Sequence, residues 1–187
     1  MIKVYKDFFD SDCLEYIEKS IEKSRNTANL RSSFFSWRPG IVQQSTPVII
    51  YDLDDADILL KRLKEIIVIE RKVNFMIYFW PIGSYIPWHN DSHVNFTATV
   101  YCNKYWEIDW GGLFLYKEKD KILAEVPEWN KLVVQTNKDW HTTTSVNKPL
   151  YWPVAMEDGQ VILPSIIRTT IQIFEEKEEK REHVTED

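Results

Sequence analysis

Three side chains in this 187-residue chain have the types and spacing to hold a metal ion: His89 and Asp91, in the triplet His89-Asn90-Asp91, and His141. Two imidazoles and one carboxylate can occupy one triangular face of an ion and leave the opposite positions open. That donor set suits non-haem Fe(II) and oxygen chemistry. In an extended segment, residues i and i+2 point the same way, so His89 and Asp91 can present two ligands while Asn90 points away. His141 must come from another strand. It opens a polar run, His141-Thr142-Thr143-Thr144, after a predicted turn. His93, two residues beyond Asp91, competes for the third ligand position, because a same-strand His-x-Asp-x-His is geometrically feasible. His183 lies in a charged tail and is read as uninvolved.

The elements that must bring these residues together can be read from periodicity. Asp10 and Ser11 offer N-caps for a helix to about Ser24, with Cys13, Leu14, Ile17 and Ile21 at helical spacing. A second helix is predicted from about Asp54 to Arg71, with Leu59, Leu60, Leu63, Ile66 and Ile67 as its apolar stripe. Asp54, Asp55 and Asp57 suit its N-terminal dipole better than they suit a calcium loop, which needs a glycine and a distal glutamate. Strands are predicted at Thr46–Asp52, Val73–Trp80, Val94–Cys102, Leu113–Lys117, Lys131–Thr136, Gln160–Leu163 and Ile166–Phe174. Helices in front of many short strands imply an α+β, mainly β chain built on an antiparallel sandwich or barrel. Both histidine segments then fall at strand ends, where a barrel mouth can unite them.

Composition bounds the function. The length allows one domain with a proper core. Aromatics reach 14%, with eight Trp, nine Tyr and nine Phe, which suits β strands and a lined pocket. The net charge is -6, much of it in Glu175 to Asp187, which is read as a frayed tail. The lack of a basic stripe argues against non-specific nucleic-acid binding. Cys13 and Cys102 form no metal-type pair and are read as buried free thiols in a reducing compartment. Met1 to Cys13 has no apolar leader core, and no apolar run matches a membrane span, so a cytoplasmic protein is expected.

The surroundings of the triplet carry a resemblance. Trp80-Pro81-Ile82-Gly83-Ser84-Tyr85-Ile86-Pro87-Trp88 leads into His89, and the strand Thr97 to Asn103 follows. Gly111-Gly112-Leu113-Phe114-Leu115-Tyr116 comes next, then Pro127 to Val134 before His141, and Ile166-Ile167-Arg168-Thr169-Thr170 near the end. From about Val73 to Phe174 this ordered set resembles the Fe(II)/2-oxoglutarate-dependent dioxygenases, in their prolyl-hydroxylase-like branch. The implied fold is a double-stranded β-helix, a jelly-roll or cupin-like barrel, with residues 73–174 as barrel core and residues 10–71 as a helical buttress. Residues 1–174 would form one domain, followed by the tail at 175–187.

By that resemblance His89, Asp91 and His141 would bind iron, and Arg168 would pair with the distal carboxylate of 2-oxoglutarate. A planar guanidinium matches a carboxylate bidentately. Strand parity supports Arg168 separately, since Arg168, Thr170 and Gln172 share one face and Ile167, Thr169, Ile171 and Ile173 the other. An arginine snorkelling at a barrel rim is the alternative. Tyr101 matches a tyrosine that contacts the same carboxylate, and Thr97, Thr99 and Thr170 are candidate helpers. Trp80 stands where relatives commonly have tyrosine, with Tyr78 on the same face as a candidate substitute.

Asp91 favours hydroxylation over halogenation, because halogenating relatives replace this carboxylate with a small residue. The implied activity is hydroxylation of a C–H bond, prolyl or another peptidyl or amino-acid side chain, with release of succinate and CO2. Fe(II), 2-oxoglutarate and O2 would be required, with ascorbate as a candidate accessory. Trp88, Trp106, Trp110 and Trp140 are candidates for an aromatic mouth that takes a peptide or small molecule. Arg168 follows His141 at a longer interval than in relatives, so Asn147 to Ser165 reads as an inserted loop or hairpin and a candidate lid. An inactive or cupin-like metal-binding module that does not use 2-oxoglutarate is the competing reading. Oligomeric state is not legible.

Overall fold

An extended chain turns alternate residues to opposite sides, and three neighbouring strands of this protein use that alternation to separate an apolar face from a polar one. The computed structural model describes residues 2–25, 31–33, 46, 48–136, 138–147, 155–157, 160–162 and 167–177. Its elements are β1 (Lys3–Tyr5), α1 (Ser11–Arg25), β2 (Arg31–Ser33), β3 (Val48–Asp52), α2 (Asp57–Leu63), β4 (Val73–Trp80), β5 (Ile86–His89), β6 (Val94–Tyr101), a 3-10 turn (Ile108–Trp110), β7 (Phe114–Glu118), β8 (Lys121–Glu125), β9 (Lys131–Thr136), β10 (His141–Thr143), β11 (Ala155–Glu157), β12 (Gln160–Ile162) and β13 (Arg168–Glu176).

Seven strands form one sheet in the order β1-β9-β6-β13-β4-β3-β2, and four form a second in the order β5-β10-β7-β8. All the pairings within them are antiparallel. This is the double-stranded β-helix expected from the sequence. Strand β13 lies between β4 and β6, and its register sorts the faces. Ile171 sits opposite Ile77 and Val100, and Ile173 opposite Phe75 and Ala98. These residues are buried in one cluster with Cys13, Ile17 and Ile21 of α1 and Leu59 and Leu63 of α2. Removing each such aliphatic side chain from water contributes roughly 1.5–3 kcal/mol. The helices therefore cover one face of the large sheet. On the other face, Arg168 sits opposite Trp80, Thr170 opposite Tyr78 and Tyr101, Gln172 opposite Thr99, and Thr97 opposite Gln135.

Helix α1 starts as expected, with Asp10 Oδ1 accepting from the Cys13 backbone N–H at 3.0 Å. Helix α2 is much shorter than the expected span to Arg71. It ends at Leu63, just before the β-branched run Ile66-Ile67-Val68-Ile69, whose side chains crowd a helical turn. Strand β8 was hidden in the sequence because its hairpin with β7 turns through Lys119-Asp120, with Lys119 at φ 54° and no glycine to announce it. The short edge strand β1, paired with β9, carries no periodic signal either.

Strand β13 runs past the expected boundary at Phe174, and Glu175 is buried rather than part of a frayed tail. Its carboxylate accepts from the backbone N–H groups of Glu70 and Arg71 at 2.7 and 3.0 Å and from Asn95 at 3.1 Å. Within the expected insertion, β11 and β12 pair as a separate two-stranded ribbon. Most of the candidate lid, and His183, lie outside the described residues. Among the described residues no helix is long and apolar enough to cross a membrane.

Asn130, at φ 59°, locks the N-terminal segment to the start of β9. Its Oδ1 accepts from the Phe9 N–H at 2.9 Å and its Nδ2 donates to the Phe9 carbonyl at 3.0 Å. Asn130→Ala leaves both backbone groups without these bonds and places alanine in the left-handed region. A loss of about 3 kcal/mol of unfolding free energy is expected. Urea denaturation checks this, and a loss below about 1 kcal/mol contradicts it.

Candidate metal centre and anion site

His89 ends β5 and His141 begins β10, and the two residues are direct cross-strand partners. Their rings lie 4.2 Å apart between centroids. Asp91 is not in the strand with His89, as the sequence reading had it. It lies two residues beyond the strand, where its carbonyl accepts from the Val94 N–H and closes a turn. The turn still brings the carboxylate to the histidines. One ligand atom from each of His89, Asp91 and His141 lies within 4.8 Å of the others. His89 Nε2 is 3.6 Å from Asp91 Oδ1, and His141 Nε2 is 3.6 Å from Asp91 Oδ2. These gaps are slightly wider than the ~3 Å between two donors at right angles around a first-row ion with ~2.1 Å bonds. The exposed side chain of His93 is not part of this group.

Both imidazoles are oriented by the same device. His89 Nδ1 is 2.7 Å from the Pro87 carbonyl, and His141 Nδ1 is 2.9 Å from the Asp139 carbonyl. A carbonyl only accepts, so each Nδ1 carries the proton and each Nε2 presents a lone pair. Phe114 stacks on His141 with centroids 5.2 Å apart. Burial pushes the His141 pKa down to about 4, and the neighbouring His89 adds to the shift, while Asp91 opposes it. His141 is thus neutral, and competent as a ligand, at ordinary pH.

Two residues that the sequence reading did not assign to the metal complete this corner. Thr97 Oγ1 and Gln135 Nε2 each lie 2.9 Å from Asp91 Oδ2. Thr97 had been set beside Tyr101 by strand parity, whereas its hydroxyl serves Asp91. Gln135 had gone unremarked. Its signal was a single amide following the apolar run Leu132-Val133-Val134.

The histidines, Asp91, Gln135 and Arg168 line one cavity between the sheets, with about 430 Å³ of empty space open in part to solvent. Tyr78, Trp80, Phe114 and Phe174 form its aromatic walls. Trp88, Trp106, Trp110 and Trp140 do not line it. Trp88 and Trp140 instead flank the Lys117 ammonium at 5.2 and 5.7 Å from their ring centroids, and Trp106 and Trp110 pack edge-to-face on one another.

Arg168 is only 1% exposed. Its guanidinium carbon sits 4.9 Å from the Trp80 ring centroid and 5.2 Å from that of Tyr101. Nε and Nη1 of Arg168, and the hydroxyl of Tyr101, are buried with no hydrogen-bond partner among the described residues. Burial pushes the Tyr101 phenol up to about 12, opposed by the Arg168 charge and by the approach of the guanidinium to the phenol oxygen, which falls short of a well-formed hydrogen bond. The phenol therefore keeps its proton, so the group supplies donors around a buried positive charge. Leaving such groups without a partner costs several kcal/mol; an anion resolves it.

Thr170 and Tyr101 do not themselves line the cavity. The Thr170 hydroxyl accepts from Trp80 Nε1 at 3.0 Å and from Gln172 Nε2 at 3.2 Å, so it holds the wall that faces Arg168. Tyr78 does line the cavity, its ring 6.0 Å from that of Trp80.

Gly112, at φ +62°, allows the close approach of Arg168. A Cβ there would lie 2.7 Å from Arg168 Cδ. Gly112→Ala is expected to weaken binding of a C5 dicarboxylate such as 2-oxoglutarate by at least about tenfold, from ~1–2 kcal/mol of strain and displacement. Binding of Mn(II) alone should change little. Isothermal titration of each ligand checks this, and an unchanged dicarboxylate affinity contradicts it.

No family model matches the chain, and no curated protein matches it in sequence. Solved structures do match in fold. A prolyl-4-hydroxylase from Pseudomonas putida superposes with a TM-score of 0.67 at 14% identity, covering 95% of this chain and 93% of that one. A prolyl hydroxylase from Trichoplax adhaerens, solved with a hypoxia inducible factor peptide fragment, gives 0.67 at 13% identity over 92% and 82%. A 2OG-Fe(II) oxygenase family oxidoreductase from Burkholderia pseudomallei gives 0.59 at 11% identity over 92% and 84%. With its paired sheets and a His-Asp-His group in the cavity between them, the chain has the double-stranded β-helix fold of the prolyl hydroxylases and related 2OG-Fe(II) oxygenases.

Proposed function

We propose that this protein is an Fe(II)- and 2-oxoglutarate-dependent oxygenase that hydroxylates a C–H bond. One observation carries the reading. The same cavity brings together a His-Asp-His group whose ligand atoms lie within 4.8 Å of one another and a buried guanidinium whose Nε and Nη1 have no hydrogen-bond partner among the described residues. A metal ion suits the first, and a 2-oxo acid that chelates that ion can reach the second with its distal carboxylate. In this reading His89 Nε2, Asp91 and His141 Nε2 hold the iron, Arg168 takes the distal carboxylate with Tyr101 packed against its guanidinium, and Tyr78 and Trp80 wall the space between.

When bound, iron and 2-oxoglutarate supply the oxidising power. One atom of O2 goes to succinate, formed with loss of CO2, and the other to the hydroxyl group of the product. The chain's own residues do the rest. The Pro87 and Asp139 carbonyls hold both imidazoles with Nε2 inward. The aromatic walls limit water around the reacting centre. A carboxylate ligand at Asp91 leaves no place for halide, which favours hydroxylation.

A peptidyl or amino-acid side chain, prolyl among them, is the proposed substrate class, supported by the fold likeness to prolyl hydroxylases. Residues 1–174 are read as one catalytic domain. The buried free thiols of Cys13 and Cys102 support a reducing, cytoplasmic location.

Incubation with Fe(II), ascorbate, 2-oxoglutarate and 18O2 tests the reaction. Mass spectrometry should find 18O in succinate, even in slow turnover without substrate. His89→Ala should abolish it. Arg168→Ala should raise the 2-oxoglutarate requirement about 100-fold, matching the loss of a charge-assisted pair worth ~3 kcal/mol. Labelled succinate absent from the wild-type reaction, or unchanged by both substitutions, rules out the assignment.

A further inference from the structure

Among the described residues, Gln135 is the one amide in the cavity wall that touches two of the three candidate ligands. Its Nε2 lies 2.9 Å from Asp91 Oδ2 and 2.9 Å from His141 Nε2. The orientation of the amide follows from chemistry. Ionised Asp91 only accepts, and His141 Nε2 carries a lone pair because its proton is on Nδ1. The atom facing both must therefore be the nitrogen, which has two hydrogens to give. The opposite orientation would set a carbonyl oxygen against a carboxylate oxygen. The consequence is visible on the other side of the amide, where Oε1 is buried with no partner among the described residues. The side chain thus forgoes its own acceptor bond to keep its nitrogen on the ligands.

Asp91 shows what this achieves. Its two oxygens are not equivalent. Oδ2 takes hydrogen bonds from both Thr97 Oγ1 and Gln135 Nε2, each at 2.9 Å. Oδ1 has no such donor among the described residues; each oxygen lies 3.6 Å from one imidazole Nε2, Oδ1 from His89 and Oδ2 from His141. We infer that Gln135 is a positioning residue of the metal centre: with Thr97 it occupies Asp91 Oδ2, so that Oδ1 alone is presented to the ion. A metal ion held there would meet the carboxylate through the oxygen that carries neither donor. Gln135 Nε2 also bridges Asp91 and His141, and it would yield the His141 lone pair to a bound ion. This inference rests on the metal reading above, and concerns how the site is set rather than which reaction follows.

The test uses Co(II) alone on the full chain, without 2-oxoglutarate or turnover. Gln135→Met keeps the length of an unbranched side chain and removes both N–H groups. Thr97→Val removes the other donor to Oδ2 and is the independent variant should Gln135→Met fail to fold. Each is expected to weaken Co(II) binding about 10- to 100-fold, the usual cost of losing a partner of a metal ligand. Each should also change the visible d–d spectrum, because the freed carboxylate can turn to a two-oxygen mode. In the double variant the losses should be less than additive, since both act through one oxygen atom. Wild-type affinity, or an unchanged spectrum in the folded variants, overturns the role of Gln135 while leaving the metal site intact. Failure of the wild-type protein to bind Co(II) overturns both.

Discussion

Strand β13 must satisfy two environments at once, and the two-residue period of an extended chain is what makes that possible. Ile171 and Ile173 are fully buried against the helices, while Arg168, Thr170 and Gln172 turn to the opposite side. A slip of one residue would put a guanidinium into the apolar core and isoleucines into the cavity. Pairing on both edges, with β4 and β6, prevents the slip. The same register then dictates the rest of the polar face. Trp80 falls opposite Arg168, Tyr78 and Tyr101 fall on either side of Thr170, and Thr99 falls opposite Gln172.

The cavity has an electrostatic polarity that follows from this arrangement. The smaller sheet contributes the histidines, each fixed by a backbone carbonyl two residues earlier in the chain. The larger sheet contributes the guanidinium and the amide of Gln135. Buried polar groups are normally paired, yet Nε and Nη1 of Arg168 have no hydrogen-bond partner among the described residues, in the same cavity as the histidines and Asp91. Preorganisation is the common theme, since the side chains that contact the ligands are themselves held by others: Thr97 and Gln135 on Asp91, Phe114 on His141, Gly112 beside Arg168.

Much of this was legible in the residues. The strands Val73–Trp80 and Lys131–Thr136, rich in β-branched and aromatic or aliphatic residues, lie at their predicted bounds. His89, Asp91, His141 and Arg168 do converge on one cavity. What escaped had local causes. Helix α2 was overextended because leucine and isoleucine share an apolar stripe, although the β-branched run stops the helix. Strand β8 escaped because its turn uses lysine in the left-handed region. The four exposed-looking tryptophans suggested a mouth, yet two of them cradle Lys117. Gln135 was invisible for a different reason: which atom of which ligand it serves depends on a cross-strand register, Thr97 beside Gln135, that no local pattern encodes.

Anaerobic titration of the Fe(II)-loaded protein with 2-oxoglutarate tests the central claim most directly, because it requires both ends of the cavity to act on one molecule. A weak visible charge-transfer band should grow to saturation at one equivalent of bound 2-oxoglutarate. Acetate and pyruvate bracket the two interactions, and pyruvate, lacking the distal carboxylate, should need a far higher concentration to produce a band. A metal-loaded protein that gives no band with 2-oxoglutarate, or gives one with pyruvate at equal concentration, would contradict the account.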